Sequence, residues 1–158
     1  MRATKGFTLI ELTVALVVLA LLAAVTVPSM QKFSSSMRYH DAVRHLVLSA
    51  REAKRKARVT GKPVDLLIDT DRKRYLLSVD AGITDLEHGA TPLPSELNLE
   101  VTYAREVSPA NGIAAIRFYP EGGATGGEIS LQRPSGSGVR LVVDWLMAGV
   151  AQEALSDD

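Results

Sequence analysis

The 158-residue sequence contains no cysteine, so the fold uses neither disulfides nor thiolate metal ligands, and thiol redox chemistry is excluded. Histidine is scarce. His40, His45 and His88 are scattered, none falls into a zinc-ligand spacing such as HExxH, and no metal site is expected. Aromatics make up 5%, with none between Tyr39 and Tyr75. The basic residues of that stretch therefore lack rings on which bases could stack, and nucleic acid is not an expected partner. Net charge is also absent, with 18 basic residues against 18 acidic ones. The length fits one modest domain plus an appendage, with no room for a second catalytic domain.

The charges that cancel in total are segregated along the chain. Residues 32–62 hold nine Lys/Arg against Asp41 and Glu52, a balance of +7. Residues 80–158 oppose Arg105, Arg117, Arg133 and Arg140 with twelve acids, a balance of −8. A basic stalk and an acidic head suit head-to-stalk packing between subunits, although solvation alone also accounts for such a split.

What the chain does have is a long apolar run. Residues 7–27 carry Glu11 as their only charge and reach about 30 Å as a helix, enough to span a bilayer. A secretory signal peptide would be shorter and would end in a small-residue cleavage site, whereas here the run continues into more helical pattern. Arg2 and Lys5 precede the span while Lys32, Arg38 and Arg44 follow it, so charge leaves the topology open. An acid inside a spanning helix disfavours insertion by roughly 2.5 to 3.5 kcal/mol at the centre and less near an end. Glu11 therefore either snorkels to the interface or meets a partner.

The residues Lys5-Gly6-Phe7-Thr8-Leu9-Ile10-Glu11 resemble the processing site of type IV prepilins and type II secretion pseudopilins. The resemblance implies a six-residue leader, cleavage by the prepilin peptidase between Gly6 and Phe7, and methylation of the new amine on Phe7. It also implies an assembly role for Glu11, which would meet the N-terminal amine of an adjacent subunit. The mature chain would carry 16 basic residues against 18 acidic ones.

Pro28 removes the hydrogen bond to the Ala24 carbonyl and is expected to bend or loosen the helix. Helical spacing continues through Met30, Phe33 and Met37. Val43, Leu46, Val47, Ala50 and Ala57 then form a stripe that should lie on the head. Arg44, Arg51, Arg55 and Arg58 flank the stripe, with the Lys54 stem expected to snorkel outward. Thr60-Gly61-Lys62-Pro63 ends the helix.

Beyond Pro63 short runs at 64–68, 75–79, 97–103, 115–119, 128–131 and 139–144 predict an all-β, largely antiparallel head. Residues 69–74 read as a hairpin turn and 92–94 as a loop. A further short strand is expected within 145–150, and residues 152–158 are expected to fray. The four glycines in 120–127 read as a flexible hairpin connection, since a phosphate-cradling loop would need a Lys-Ser/Thr pair and a following helix. Asp69-Thr70-Asp71 lacks the later ligands of a calcium loop, and Ser135-Gly136-Ser137-Gly138 lacks the pattern of a nucleophile elbow. No catalytic constellation is found and no cofactor is expected.

Phe118-Tyr119-Pro120-Glu121-Gly122-Gly123, with the Gly126-Gly127 pair and residues 128–131, resembles the motif of the GspH/FimT domain, the family that includes the type II secretion minor pseudopilin H. The resemblance implies an α+β, pilin-like fold, with a long N-terminal helix packed on an antiparallel β head. It divides the chain into a leader (1–6), a transmembrane helix (7–28), a periplasmic stalk (29–61) and a head (62–158). The implied protein is a structural subunit and not an enzyme. It passes once through the inner membrane, N-terminus cytoplasmic and head periplasmic, and joins the tip of a short filament that exports folded proteins. Its implied partners are the prepilin peptidase, the other minor pseudopilins, the major pseudopilin, the inner membrane and secreted substrates. The alternative is a minor type IV pilin or DNA-uptake pseudopilin of the same domain type.

Overall fold

Thr8 starts the long helix. Its hydroxyl oxygen accepts the Glu11 amide at 3.3 Å, an amide that a helix start would leave without a partner, and its carbonyl accepts the Leu12 amide at 3.2 Å as the first intrahelical bond. Helix α1 runs Leu9–Thr60, 52 residues. The computed structural model describes residues 8–79, 86–110 and 112–155, without the side chains of 23–33, 87 and 88. Gly6 and Phe7, the side chains of Pro28, Met30 and Phe33, and residues 156–158 therefore lie outside the described residues. The chain falls into two units divided between Arg38 and Tyr39, with α1 running through the division.

In the first unit every described side chain from Thr8 to Leu22 is exposed. Leu9, at 83%, is the extreme. The Thr13 hydroxyl donates to the Ile10 carbonyl at 2.8 Å, which satisfies a polar group within the helix itself. Among the described residues no helix is long and apolar enough to cross a membrane; of the apolar run 7–27, only 8–22 have described side chains.

In the second unit the same helix is one-sided. Tyr39, Ala42, Val43, Leu46, Val47, Ala50, Ala53 and Ala57 are buried at spacings of three and four. Gly61, at φ 66°, donates its amide to the Ala57 carbonyl and stops the helix in the left-handed conformation that favours glycine.

The buried stripe lies on two antiparallel four-stranded sheets, as the α+β reading requires. The strands are β1 Val64–Asp69, β2 Arg74–Val79, β3 Thr91–Pro92, β4 Asn98–Tyr103, β5 Ile113–Phe118, β6 Gly127–Gln132, β7 Gly138–Val143 and β8 Val150–Leu155. One sheet has the order β3-β2-β1-β5 and the other β4-β6-β7-β8. Val64, Leu66 and Ile68 of β1, Phe118 of β5, Ile129 and Leu131 of β6, and Leu141 and Val143 of β7 share one core with the helix. Strand β1 is buried on both faces: its other face presents Leu67, which packs with Ala115 and Leu86 of the short helix α2, Leu86–Gly89.

Several expectations need correction. The head is not purely β, because α2 and a 3-10 turn at Arg105–Val107 interrupt it, α2 supplying Leu86 to cover the first sheet. The 92–94 loop begins inside an edge strand, β3, where Pro92 is tolerated because an edge strand leaves amides unpaired. Residues 145–147 form a turn, and the last strand is β8, paired residue for residue with β7 where fraying was expected. The glycine-rich segment is not a hairpin, because β5 and β6 belong to different sheets and the segment crosses between them.

Candidate assembly site

Of the residues the motif singles out, Gly6 and Phe7 lie outside the described residues. Glu11 is described and exposed on the first turn of α1. With Thr8 as N-cap, Glu11 occupies the third helical position, the spacing of a capping box. A carboxylate there is favoured by the amide dipoles of the helix start, so the acid stabilises the terminus of an otherwise apolar segment. The apolar side chains around it have no cover from the described part of the first unit.

On the second unit the helix shows its basic edge. Arg44, Arg51, Arg55 and Arg58 are exposed. Glu52 takes a bidentate hold on Arg55, at 2.6 and 2.8 Å. That hydrogen bond holds the Glu52 carboxyl below its usual range and raises the Arg55 guanidinium. Lys54 departs from the expected snorkelling: its ammonium donates to the Met147 carbonyl at 2.6 Å and pins the β7–β8 turn to the helix.

The first sheet carries two ion pairs on the face away from α1. Asp65 of β1 lies opposite Arg117 of β5 and accepts from Nε and Nη2 at 2.7 and 2.8 Å. The carboxylate is buried, and this bond raises the Arg117 guanidinium despite partial desolvation. Asp69 accepts the Arg72 amide at 2.9 Å and Arg74 Nε at 3.1 Å, which closes the β1–β2 turn. These are structural pairs that fix the register of β1. Tyr39 is held under the Arg133 guanidinium, 4.8 Å from the ring centroid. Burial pushes the Tyr39 phenol up, with Arg133 opposing.

The crossover 119–126 is tightly packed, which corrects its reading as a flexible link. Thr125 donates its amide to the Arg117 carbonyl at 2.8 Å and accepts the Arg117 amide on its hydroxyl at 3.1 Å. Ala124 donates to the Trp145 carbonyl at 2.8 Å. A Cβ at Gly123 would lie 2.8 Å from that carbonyl oxygen, and one at Gly127 2.7 Å from the Thr102 carbonyl oxygen, so both positions exclude larger residues. Sequence reasoning recognised the glycines as a motif but missed the turn they pack against. Trp145, Leu146 and Met147 are 66%, 64% and 72% exposed. A signal was available: three bulky apolar residues in succession between Asp144 and Gly149 fit neither strand alternation nor a helical face.

Among the described residues no group of three His, Asp or Glu side chains is placed to hold a metal ion. His40 lies edge-on to Tyr39, at 5.2 Å between ring centroids, and the His88 side chain lies outside the described residues. Ser135 and Ser137 bond to each other at 3.0 Å in the β6–β7 turn.

Comparison with known proteins agrees with this arrangement. Residues 42–149 match the family model described as type II transport protein GspH, and residues 1–27 match the prokaryotic N-terminal methylation motif. Type II secretion system protein H of Xanthomonas campestris pv. campestris is 28% identical over 130 residues, covering 82% of this chain and 72% of that protein. The solved minor pseudopilin EpsH from the type 2 secretion system of Vibrio cholerae shares the fold at a TM-score of 0.53 and 14% identity, over 75% of this chain and 97% of that one.

Proposed function

The chain belongs to the family of type II transport protein GspH, and from that membership we propose that it is a minor pseudopilin of a type II secretion system. It acts as a structural subunit near the tip of the periplasmic pseudopilus and helps export folded proteins across the outer membrane. The observation that carries this reading is the family match across 42–149, which takes in the buried stripe of α1 from Ala42 onward and strands β1 to β7 beneath it.

The methylation motif over 1–27 supports processing by the prepilin peptidase, with cleavage between Gly6 and Phe7 and methylation of Phe7. Residues 7–28 then anchor the chain in the inner membrane, with the N-terminus cytoplasmic and the head periplasmic. During assembly the exposed apolar surface around Glu11 passes from lipid to the helices of neighbouring subunits. Burying the carboxylate among apolar helices requires a cation, and the N-terminal amine of the next subunit supplies one. The helix thus sets register and the head meets other minor pseudopilins, the major pseudopilin or cargo.

The test is complementation of a deletion strain. Glu11→Leu is expected to insert and be processed normally but to leave secretion defective, with the variant absent from sheared filaments. Normal secretion by Glu11→Leu would remove that residue's role, and normal secretion by the deletion strain would remove the function.

A further inference from the structure

Trp145, Leu146 and Met147 stand out because the fold holds them outward. The Ala124 amide donates to the Trp145 carbonyl, the Met147 amide to Asp144 Oδ1 at 2.6 Å, the Asp144 amide to the Gly149 carbonyl at 2.9 Å, and the Lys54 ammonium to the Met147 carbonyl. Ala148 anchors the turn in the core and adopts φ 49°, a conformation that costs energy for any residue with a Cβ. Helix α1, the 119–126 crossover and the turn itself thus all hold three large side chains in place, none of which is buried by the fold. A preorganised, exposed cluster that includes the chain's one tryptophan has the composition and rigidity of a binding anchor.

The surroundings define what it fits. Arg51 lies three and four residues before Lys54 and Arg55, and Arg58 lies four and three after them, so the four cations share one side of α1 where Lys54 touches the turn. Carboxylates are interspersed: Glu52 neutralises Arg55, and Asp144 and Glu121 lie exposed in the turn and the crossover. That mixture disfavours a polyanion such as DNA, and a turn fixed by four hydrogen bonds is more than insertion into lipid demands. On this chain's own acidic surface, Glu100, Glu128 and Glu153 surround Arg140 on the second sheet and Glu128 already pairs with that guanidinium at 3.5 Å, so its charge is partly neutralised within the chain.

We infer that the 145–147 turn is the docking anchor for a different subunit of the same filament, inserting into an apolar pocket bordered by carboxylates that face these cations of α1. The partner's class rests on the function proposed above.

The test uses the full chain in its secreting host, with photoreactive p-benzoylphenylalanine in place of either Leu146 or Leu16. Irradiation at Leu146 is expected to yield an adduct with another subunit that bears the N-terminal methylation motif, joined at a segment containing apolar and acidic residues. Trp145→Ser should lower that yield at least tenfold and Arg51→Glu several-fold, with Leu16 adducts unchanged. No protein adduct at Leu146, one with lipid, DNA or a second copy of this chain, or one insensitive to Trp145→Ser overturns the docking assignment when the Leu16 probe still captures filament subunits. Failure of both probes to capture any filament subunit overturns the secretion function as well.

Discussion

The two halves of helix α1 obey the same backbone rules and opposite packing rules. From Tyr39 to Ala57 the apolar residues recur every three or four positions and vanish into a core shared with both sheets, leaving the basic residues outside. From Leu9 to Leu22 nearly every residue is apolar, so no face is distinguished and every described side chain is exposed. A one-sided helix has its cover within the chain; an all-round apolar helix needs cover from lipid or from other helices. The difference separates what the chain needs for folding from what it needs for assembly.

The contrast is sharpest in a pair of truncations. Phe118→Ala, at a fully buried position beneath α1, should destabilise the head by about 3 to 5 kcal/mol in urea unfolding followed by circular dichroism. Leu16→Ala should leave the same transition unchanged within about 0.5 kcal/mol. Equal effects would show that the two halves share one cooperative unit.

A smaller loss is expected from Asp65→Ala, which strands Arg117 against the first sheet and removes a charged bidentate hydrogen bond worth about 1.5 to 3 kcal/mol. Adding Arg117→Ala should recover part of that loss. Next comes Gly123→Ala, where a Cβ would press on the Trp145 carbonyl and the strained backbone costs on the order of 1 to 3 kcal/mol. Faster hydrogen exchange at the Ala124 amide would report the loosened turn.

The smallest effect concerns pH. Tyr39 is buried neutral, and its folded value lies above the ordinary 10.0. Its contribution to stability is thus fully present below pH 10 and lost as pH climbs through the folded value. Tyr39→Phe should flatten the alkaline limb of the stability profile, whereas an unchanged limb would assign it to other groups.

Much of this division was legible in the sequence, because period and composition change where packing changes. The 39–57 stripe, the strand-rich head and the Glu11 motif all follow from residue types at fixed spacing. What escaped depends on contacts between distant segments. The glycines of 120–127 looked like slack because their constraint comes from the Trp145 and Thr102 carbonyls, far along the chain. The Lys54 ammonium was expected in water because its acceptor lies 93 residues away. Residues 152–155 looked like part of a fraying end, since Gln152-Glu153-Ala154 has weak strand propensity, and the ladder with β7 overrides it.

Because the chain has no cysteine, thiol labelling can test the central contrast without background. Leu16 and Leu48 are comparably exposed in the chain itself. With Leu16→Cys and Leu48→Cys produced singly in secreting cells whose outer membrane has been permeabilised, a membrane-impermeant maleimide should modify position 48 readily and leave position 16 protected. Equal labelling at the two positions would contradict the claim that the first half of α1 is covered by membrane and neighbouring helices.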